Sequence, residues 1–220
     1  MKDILNKIFN EIKDGNNLGE KITLVGATKF VDVERINKAI SLGLSDVGEN
    51  KAQEFCEKYP HFPPATYHFI GHLQTNKVKM IVGKAHLIHS VDSVDLIKAI
   101  NKQAKKLQIV QNILLEVNIA KDPNKHGFYE NDLQNALQEC KLCESLKVVG
   151  LMTVLPKCDN NDKLSNLCLQ MRRLYDIIKA ENKDFTYLSM GMSGDYQVAI
   201  QNGSNMIRIG SLLFGERNYN

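Results

Sequence analysis

Hydrophobic positions recur along this chain in two rhythms. At the start, Ile4, Leu5, Ile8, Phe9 and Ile12 return every three or four residues while Lys7, Asn10 and Glu11 fill the opposite side. That spacing predicts an amphipathic helix, ended by the segment Asp14 to Gly19. From there short β-favouring runs alternate with longer helical patterns. The runs are Ile22 to Ala27, Ser45 to Val47, Tyr67 to Ile70, His86 to Ser90, Asn112 to Asn118, Lys147 to Met152, Thr186 to Ser189 and Met206 to Ile209. Helical periodicity is predicted over 33–42, 50–58, 74–82, 94–106, 130–144, 160–181 and 195–201, with a short turn from 211.

Strands that alternate with helices pair in parallel, because each helix is the crossover that returns the chain to the same end of the sheet. Eight such units in 220 residues predict an α/β fold of a particular kind: one TIM-type (β/α)8 barrel with an extra amino-terminal helix. Pro60 to Ala65 and Lys157 to Lys163 read as exposed loops, neither long enough to link domains. A single domain across 1–220 is therefore expected.

Composition narrows the function classes. With 43% hydrophobic and 24% charged residues the chain is an ordinary globular protein. A formal charge of +3 falls short of the basic field that nucleic-acid binding needs. No apolar run approaches the ~20 residues of a membrane span, and the charged amino terminus is unlike a secretory leader. The expected location is the cytoplasm. Cys56, Cys140, Cys143, Cys158 and Cys168 are odd in number, without disulfide-framework spacing, which agrees with a reducing compartment. Cys140 and Cys143 form a C-x-x-C inside a helical pattern with no second pair, and His68 and His72 have no carboxylate or cysteine at ligand spacing, so no metal site is expected.

In a parallel barrel the carboxyl ends of all strands open on one face, where ligands bind. Lys29 follows the first strand, Glu49 and Asn50 the second, Gly71 and His72 the third, and Asp92 the fourth. Asn118 closes the fifth; Met152 and Thr153 stand at the sixth, Ser189 to Ser193 at the seventh, and Arg208 to Ser211 at the eighth. The last two loops, MGMSG at 190–194 and RIGS at 208–211, each set glycine and a hydroxyl before a helical turn. Such loops offer unpaired backbone N–H groups and a helix dipole to an anion, which points to a phosphorylated ligand. Lys29, placed where water is scarce, is expected to have a lowered pKa and to act as an amine nucleophile toward a carbonyl. Arg208 is suited to clamp a phosphate or face a ring nitrogen, or else to pair with Glu49 or Asp92. Met190 and Met192 suit packing against a ligand ring or the core.

These residues carry a resemblance. LVGATK at 24–29, GEN at 48–50, HFIGHLQTNK at 68–77, VDS at 91–93, VN and KHGF between 117 and 128, GLMTV at 150–154 and the long block 188–217 resemble the pyridoxal phosphate homeostasis proteins. These are single-domain relatives of the amino-terminal barrel of alanine racemases. The resemblance implies pyridoxal 5'-phosphate as cofactor, with Lys29 forming the internal aldimine (a Schiff base). It also implies that Ser193, Gly210 and Ser211 contact the phosphate, that Arg208 partners the pyridine nitrogen, and that Asn50 and Met192 line the site. Where the family commonly has a second lysine and a proline after the aldimine lysine, Val31 and Asp32 stand here.

The expected function is control of intracellular vitamin B6 without substrate turnover, hence no catalytic residue. Partners would be the cofactor and client enzymes that depend on it, with no nucleic acid or membrane, and a monomeric state. The alternatives are an amino-acid racemase and a barrel enzyme acting on some other phosphorylated metabolite. A racemase needs a second acid or base, which its relatives take from a carboxy-terminal domain. The barrel already takes up these 220 residues.

Overall fold

The computed structural model describes residues 1–215; Glu216 and Arg217, the end of the long motif, lie outside them. Eight parallel strands close into a barrel in sequence order: β1 (Thr23–Ala27), β2 (Asp46–Glu49), β3 (Thr66–Phe69), β4 (Leu87–Val91), β5 (Gln111–Glu116), β6 (Leu146–Met152), β7 (Tyr187–Ser189) and β8 (Met206–Ile209). Closure is made where β1 pairs with β8, from Thr23↔Met206 to Gly26↔Ile209. All eight predicted strands are present.

Around them lie α1 (Lys2–Ile12), α2 (Val33–Ser41), α3 (Ala52–Lys58), α4 (Val78–Ile81), α5 (Val94–Lys106), α6 (Glu130–Lys141), α7 (Asn161–Glu181), α8 (Tyr196–Gln201) and α9 (Ser211–Phe214). The predicted amphipathic face of α1 buries Leu5, Ile8 and Ile12 against the outside of β1 and β8.

Several boundaries differ from the periodic reading. The helix expected over 74–82 is a 3-10 turn, Thr75–Lys77, followed by the single turn of α4. Gly83 turns the chain at a φ of 85° just beyond. Asn160 caps α7 by accepting from Lys163 N (2.9 Å), so the second half of the expected 157–163 loop is helical. Helix α6 stops at Lys141, which leaves Cys143 in the following turn. Cys140 is buried and its thiol is pushed up to about 12 by that burial, so it acts as a small core hydrophobe. Val31 and Asp32 have structural duties: Val31 is buried beside α2, and Asp32 caps that helix by accepting from Arg35 N (2.8 Å).

Strand alternation decides what enters the barrel. On β8, Ile207 and Ile209 pack outward with Leu24 against the helices, while Met206 joins Val25, Leu87, Leu114, Val149 and Met152 in the small inner core. The same period turns Arg208 inward. It also turns inward His68 beside outward Phe69, His89 beside outward Ile88, Ser189 beside outward Leu188 and Glu116 beside outward Leu115. Five polar side chains are thereby committed to the barrel's interior or its mouth.

Candidate functional site

The site is built on β7, β8, β1 and β2, which are neighbours in that order. Main-chain bonds lace the loops after β7 and β8 together: Arg208 N donates to Gly191 O (2.9 Å) and Met190 N to Met206 O (3.1 Å). Gly191 is required there, since a Cβ would lie 2.8 Å from Ala199 Cβ and 2.9 Å from Tyr196 Cα, at a φ of 99°. Ser193 Oγ accepts from both Gly210 N and Leu212 N (3.2 Å each), so one hydroxyl joins the two loops. The N–H groups of Ser193 and Gly194 have no partner among the described residues, and beyond Gly194 a Cβ would meet nothing within 4 Å. Exposed Ser211 stands beside them, and half-buried Met192 is on the same loop as Ser193. Helices α8 and α9 have six and four residues. The seat therefore works through individual N–H donors, and the helix dipole expected from the sequence adds little.

Gly210 packs against the end of β1, where its Cβ would sit 3.4 Å from Ala27. Two residues on is Lys29, half-buried rather than secluded, its Nζ 5.0 Å from the centre of the Phe30 ring. Its neighbours are pinned. Thr28 N donates to Gly48 O (2.9 Å), Thr28 Oγ1 to Glu49 Oε1 (2.7 Å), and Phe30 N to Glu54 Oε1 (2.7 Å). Lys58 Nζ, itself buried, gathers Thr28 O (2.8 Å), Glu49 Oε1 (2.6 Å) and Glu54 Oε1 (2.6 Å). Burial pushes the Glu49 carboxyl up, with Lys58 pulling the other way. Phe30 is held at a φ of 61°, a strained conformation for a bulky residue. Asn50, half-buried, follows β2 directly, and Gly71 lies so close to it that a Cβ would fall 2.1 Å from Asn50 O.

Arg208 forms no ion pair with Glu49 or Asp92, the alternative open from sequence: Glu49 is taken by Lys58, and Asp92 by His72 and His126. It is 4% exposed, and it donates Nη1–H to Ser189 Oγ (2.6 Å) and Nη2–H to Thr153 O (2.9 Å). Of its five donors the others have no protein partner among the described residues. Burial brings its pKa down to about 10 against the pull of Glu116 and Asp195, which leaves it a cation at neutral pH.

Behind Arg208 runs a relay that the sequence reading did not identify. His89 Nδ1 lies 3.1 Å from Ser189 Oγ, His89 Nε2 2.8 Å from His68 Nδ1, and His68 Nε2 3.0 Å from Asp46 Oδ1. The Asp46 carboxylate can only accept, so neutral His68 carries its proton on Nε2 and accepts at Nδ1; His89 therefore carries its proton on Nε2, and its Nδ1 accepts from the Ser189 hydroxyl. His89 then donates from Nε2 to His68, and His68 donates from Nε2 to the carboxylate. Every donor thus points away from the mouth toward Asp46. Both imidazoles are neutral, since burial lowers their pKa values. Burial alone would raise the Asp46 carboxyl, but hydrogen bonds from His68 and Ser45 outweigh it and hold it below its ordinary value. A signal existed in the sequence, namely polar residues at inward positions of four strands.

Glu116 was also missed. It is 7% exposed at the end of β5, with no hydrogen bond to its carboxylate among the described residues. Burial, with the Asp92 charge, raises its pKa to about 7 against Arg208 and Lys125.

Comparison with known proteins places this arrangement among relatives. The family model described as alanine racemase, N-terminal domain matches residues 21–218. The chain is 42% identical to a pyridoxal phosphate homeostasis protein of Aquifex aeolicus over 199 residues, 89% of this chain and 87% of the relative. It is 35% identical to one of Helicobacter pylori, covering 89% and 88%. The solved structure of PipY of Synechococcus elongatus with PLP bound superposes with a TM-score of 0.87 at 27% identity, over 97% of this chain and 99% of that one. Alanine racemase of Clostridium difficile shares the fold, with a TM-score of 0.80 at 14% identity, and 56% of its length is covered.

Proposed function

This chain belongs to the family of the alanine racemase N-terminal domain and to the pyridoxal phosphate homeostasis proteins, and on that footing we propose that it binds pyridoxal 5'-phosphate (PLP) between β7, β8, β1 and β2. The residues present fit the group: free N–H donors at Ser193 and Gly194 with open space beyond, and a buried guanidinium with donors to spare. Ser193, Gly210 and Ser211, with the neighbouring main chain, would hold the phosphate, and Met192 and Asn50 would line the ring. When bound, PLP supplies an aldehyde that bonds covalently to amines and a ring that can take up carbanion electrons. Lys29 offers the amine, on a backbone fixed at both sides by Lys58 and Glu54.

The observation that carries this reading is Arg208. Its remaining donors can be satisfied only by an acceptor, and as a cation it disfavours protonation of a facing pyridine nitrogen. An unprotonated ring is a weaker electron sink, so the site suits holding PLP in vitamin B6 homeostasis better than converting amino acids. All the residues proposed for the site come from one chain, which suits a monomer that passes PLP to client enzymes. Five free thiols suit the cytoplasm, and among the described residues no helix is long and apolar enough to cross a membrane. The test is to incubate PLP-loaded protein with L-alanine and other amino acids in deuterated water. The carrier reading expects neither α-hydrogen exchange nor enantiomer inversion at a useful rate; rapid racemisation abolished by Lys29→Ala would restore the enzyme.

A further inference from the structure

On the opposite side of the mouth three side chains converge from three loops. His72 follows β3, Asp92 follows β4, and His126 is in the loop after β5. His72 Nδ1 is 2.9 Å and His126 Nδ1 3.5 Å from the same oxygen, Asp92 Oδ2. The two rings stack with centroids 3.7 Å apart, and the potential ligand atoms of all three residues lie within 4.8 Å of one another. We propose that His72, Asp92 and His126 form a binding site for a divalent transition cation, of which zinc is the type.

Four observations support it. First, two imidazoles and a carboxylate form a donor set that suits zinc, nickel, copper or iron, and not magnesium or calcium, which prefer oxygen. Second, donors ~2.0 to 2.2 Å from a tetrahedral zinc lie about 3.3 Å apart, and the two Nδ1–Oδ2 separations bracket that edge. Third, Asp92 is the buried anchor, 8% exposed at its side chain, and has no lysine or arginine partner among the described residues. The imidazoles are 40% and 57% exposed, so a modest turn about χ2 splays the stacked rings around an ion that enters from solvent. A fourth position would remain for water.

The fourth is that the backbones are already held. Asn118 shapes the loop that presents His126: its Nδ2 donates to Asp122 O (2.7 Å) and Lys125 O (3.2 Å), and its Oδ1 accepts from Asp122 N (3.0 Å). Phe128 N donates to Glu116 O (2.8 Å), closing that loop onto β5. Ser90 Oγ donates to Gly71 O beside His72, and Ser93 caps α5 immediately after Asp92. Sequence reading looked for ligands at local spacing, whereas here His72 and Asp92 are 20 residues apart and the fold alone unites them.

The site is independent of the PLP reading, and its test needs no PLP. Chelator-treated full-length protein is titrated with zinc alone by calorimetry, with magnesium as control, and cobalt is added to read its visible d–d bands. The proposal expects one zinc per chain with micromolar or tighter affinity, no magnesium binding, and a cobalt spectrum without thiolate charge transfer. His126→Gln and Asp92→Asn should each weaken zinc binding at least tenfold. His126→Gln alters an exposed ring and should leave the melting curve unchanged, which separates ligand loss from misfolding. No stoichiometric zinc binding would overturn the proposal, as would binding unaffected by His126→Gln or a thiolate band that assigns the metal to cysteine.

Discussion

The two halves of the barrel mouth are chemically opposed. Around β7, β8 and β1 the polar groups at the mouth are mainly donors: free N–H groups at Ser193 and Gly194, the Arg208 guanidinium and the Lys29 amine. Around β3, β4 and β5 they are carboxylates and imidazoles: Asp92, Glu116, His72 and His126. An anionic group entering the mouth is drawn to the first half and repelled from the second, so the polarity alone orients a phosphorylated ligand. The halves differ in stiffness too. Lys29 stands on a backbone tied to a buried Lys58–Glu49–Glu54 cluster, whereas the histidines face solvent.

The sharpest way to break the first half is Lys58→Met, which leaves Glu49 and Glu54 without their cation. Breaking a buried pair in this way costs about 3–5 kcal/mol, to be read as a lowered urea midpoint with unchanged m-value. The matching change in the second half, Asp92→Asn, loses only contacts with exposed imidazoles and should cost less than about 1 kcal/mol. Similar losses for the two would erase the contrast.

Glu116 sharpens the comparison through pH. Its pKa is raised to about 7 in the folded protein against 4.5 for a solvated glutamate, so between those values the folded state keeps a proton that the unfolded chain has lost. Stability should therefore fall as pH rises from about 4.5 to 7 and then level off. Glu116→Gln should remove that slope and be the more stable form at pH 8 by roughly 3 kcal/mol. A parallel pH profile for the two proteins would show that Glu116 is ordinarily solvated.

A modest effect, read in binding and not in stability, is expected of Ser193→Ala, which unties Gly210 N and Leu212 N from the first loop. PLP binding should weaken by about 1–2 kcal/mol, while pyridoxal without phosphate, already weak, should change little. Equal losses for both would move the phosphate elsewhere.

Much of this was legible in the sequence because a (β/α)8 barrel has a strong rhythm and collects its chemistry at strand ends. Lys29, Asn50, Ser193, Arg208, Gly210 and Ser211 fall where strand ends and glycine loops place them. Strand boundaries shifted by one or two residues, as at β5, which ends at Glu116 while Asn118 turns out to shape the next loop. What was not legible depends on partners far apart in sequence. The Asp46–His68–His89–Ser189–Arg208 relay follows from reading polar residues at inward positions of several strands together. The Lys58 cluster left only an i,i+4 Glu54–Lys58 trace on α3, and nothing local joins His72 to His126.

The proposal that PLP is held on the β7–β8–β1 side through Lys29 meets its plainest test in borohydride trapping with peptide mapping. Protein loaded with PLP is reduced, digested and mapped. A single pyridoxyl group on Lys29 is expected, and a folded Lys29→Ala protein that traps none. Trapping chiefly at Lys51, Lys77 or Lys125, or undiminished trapping in Lys29→Ala, would contradict it.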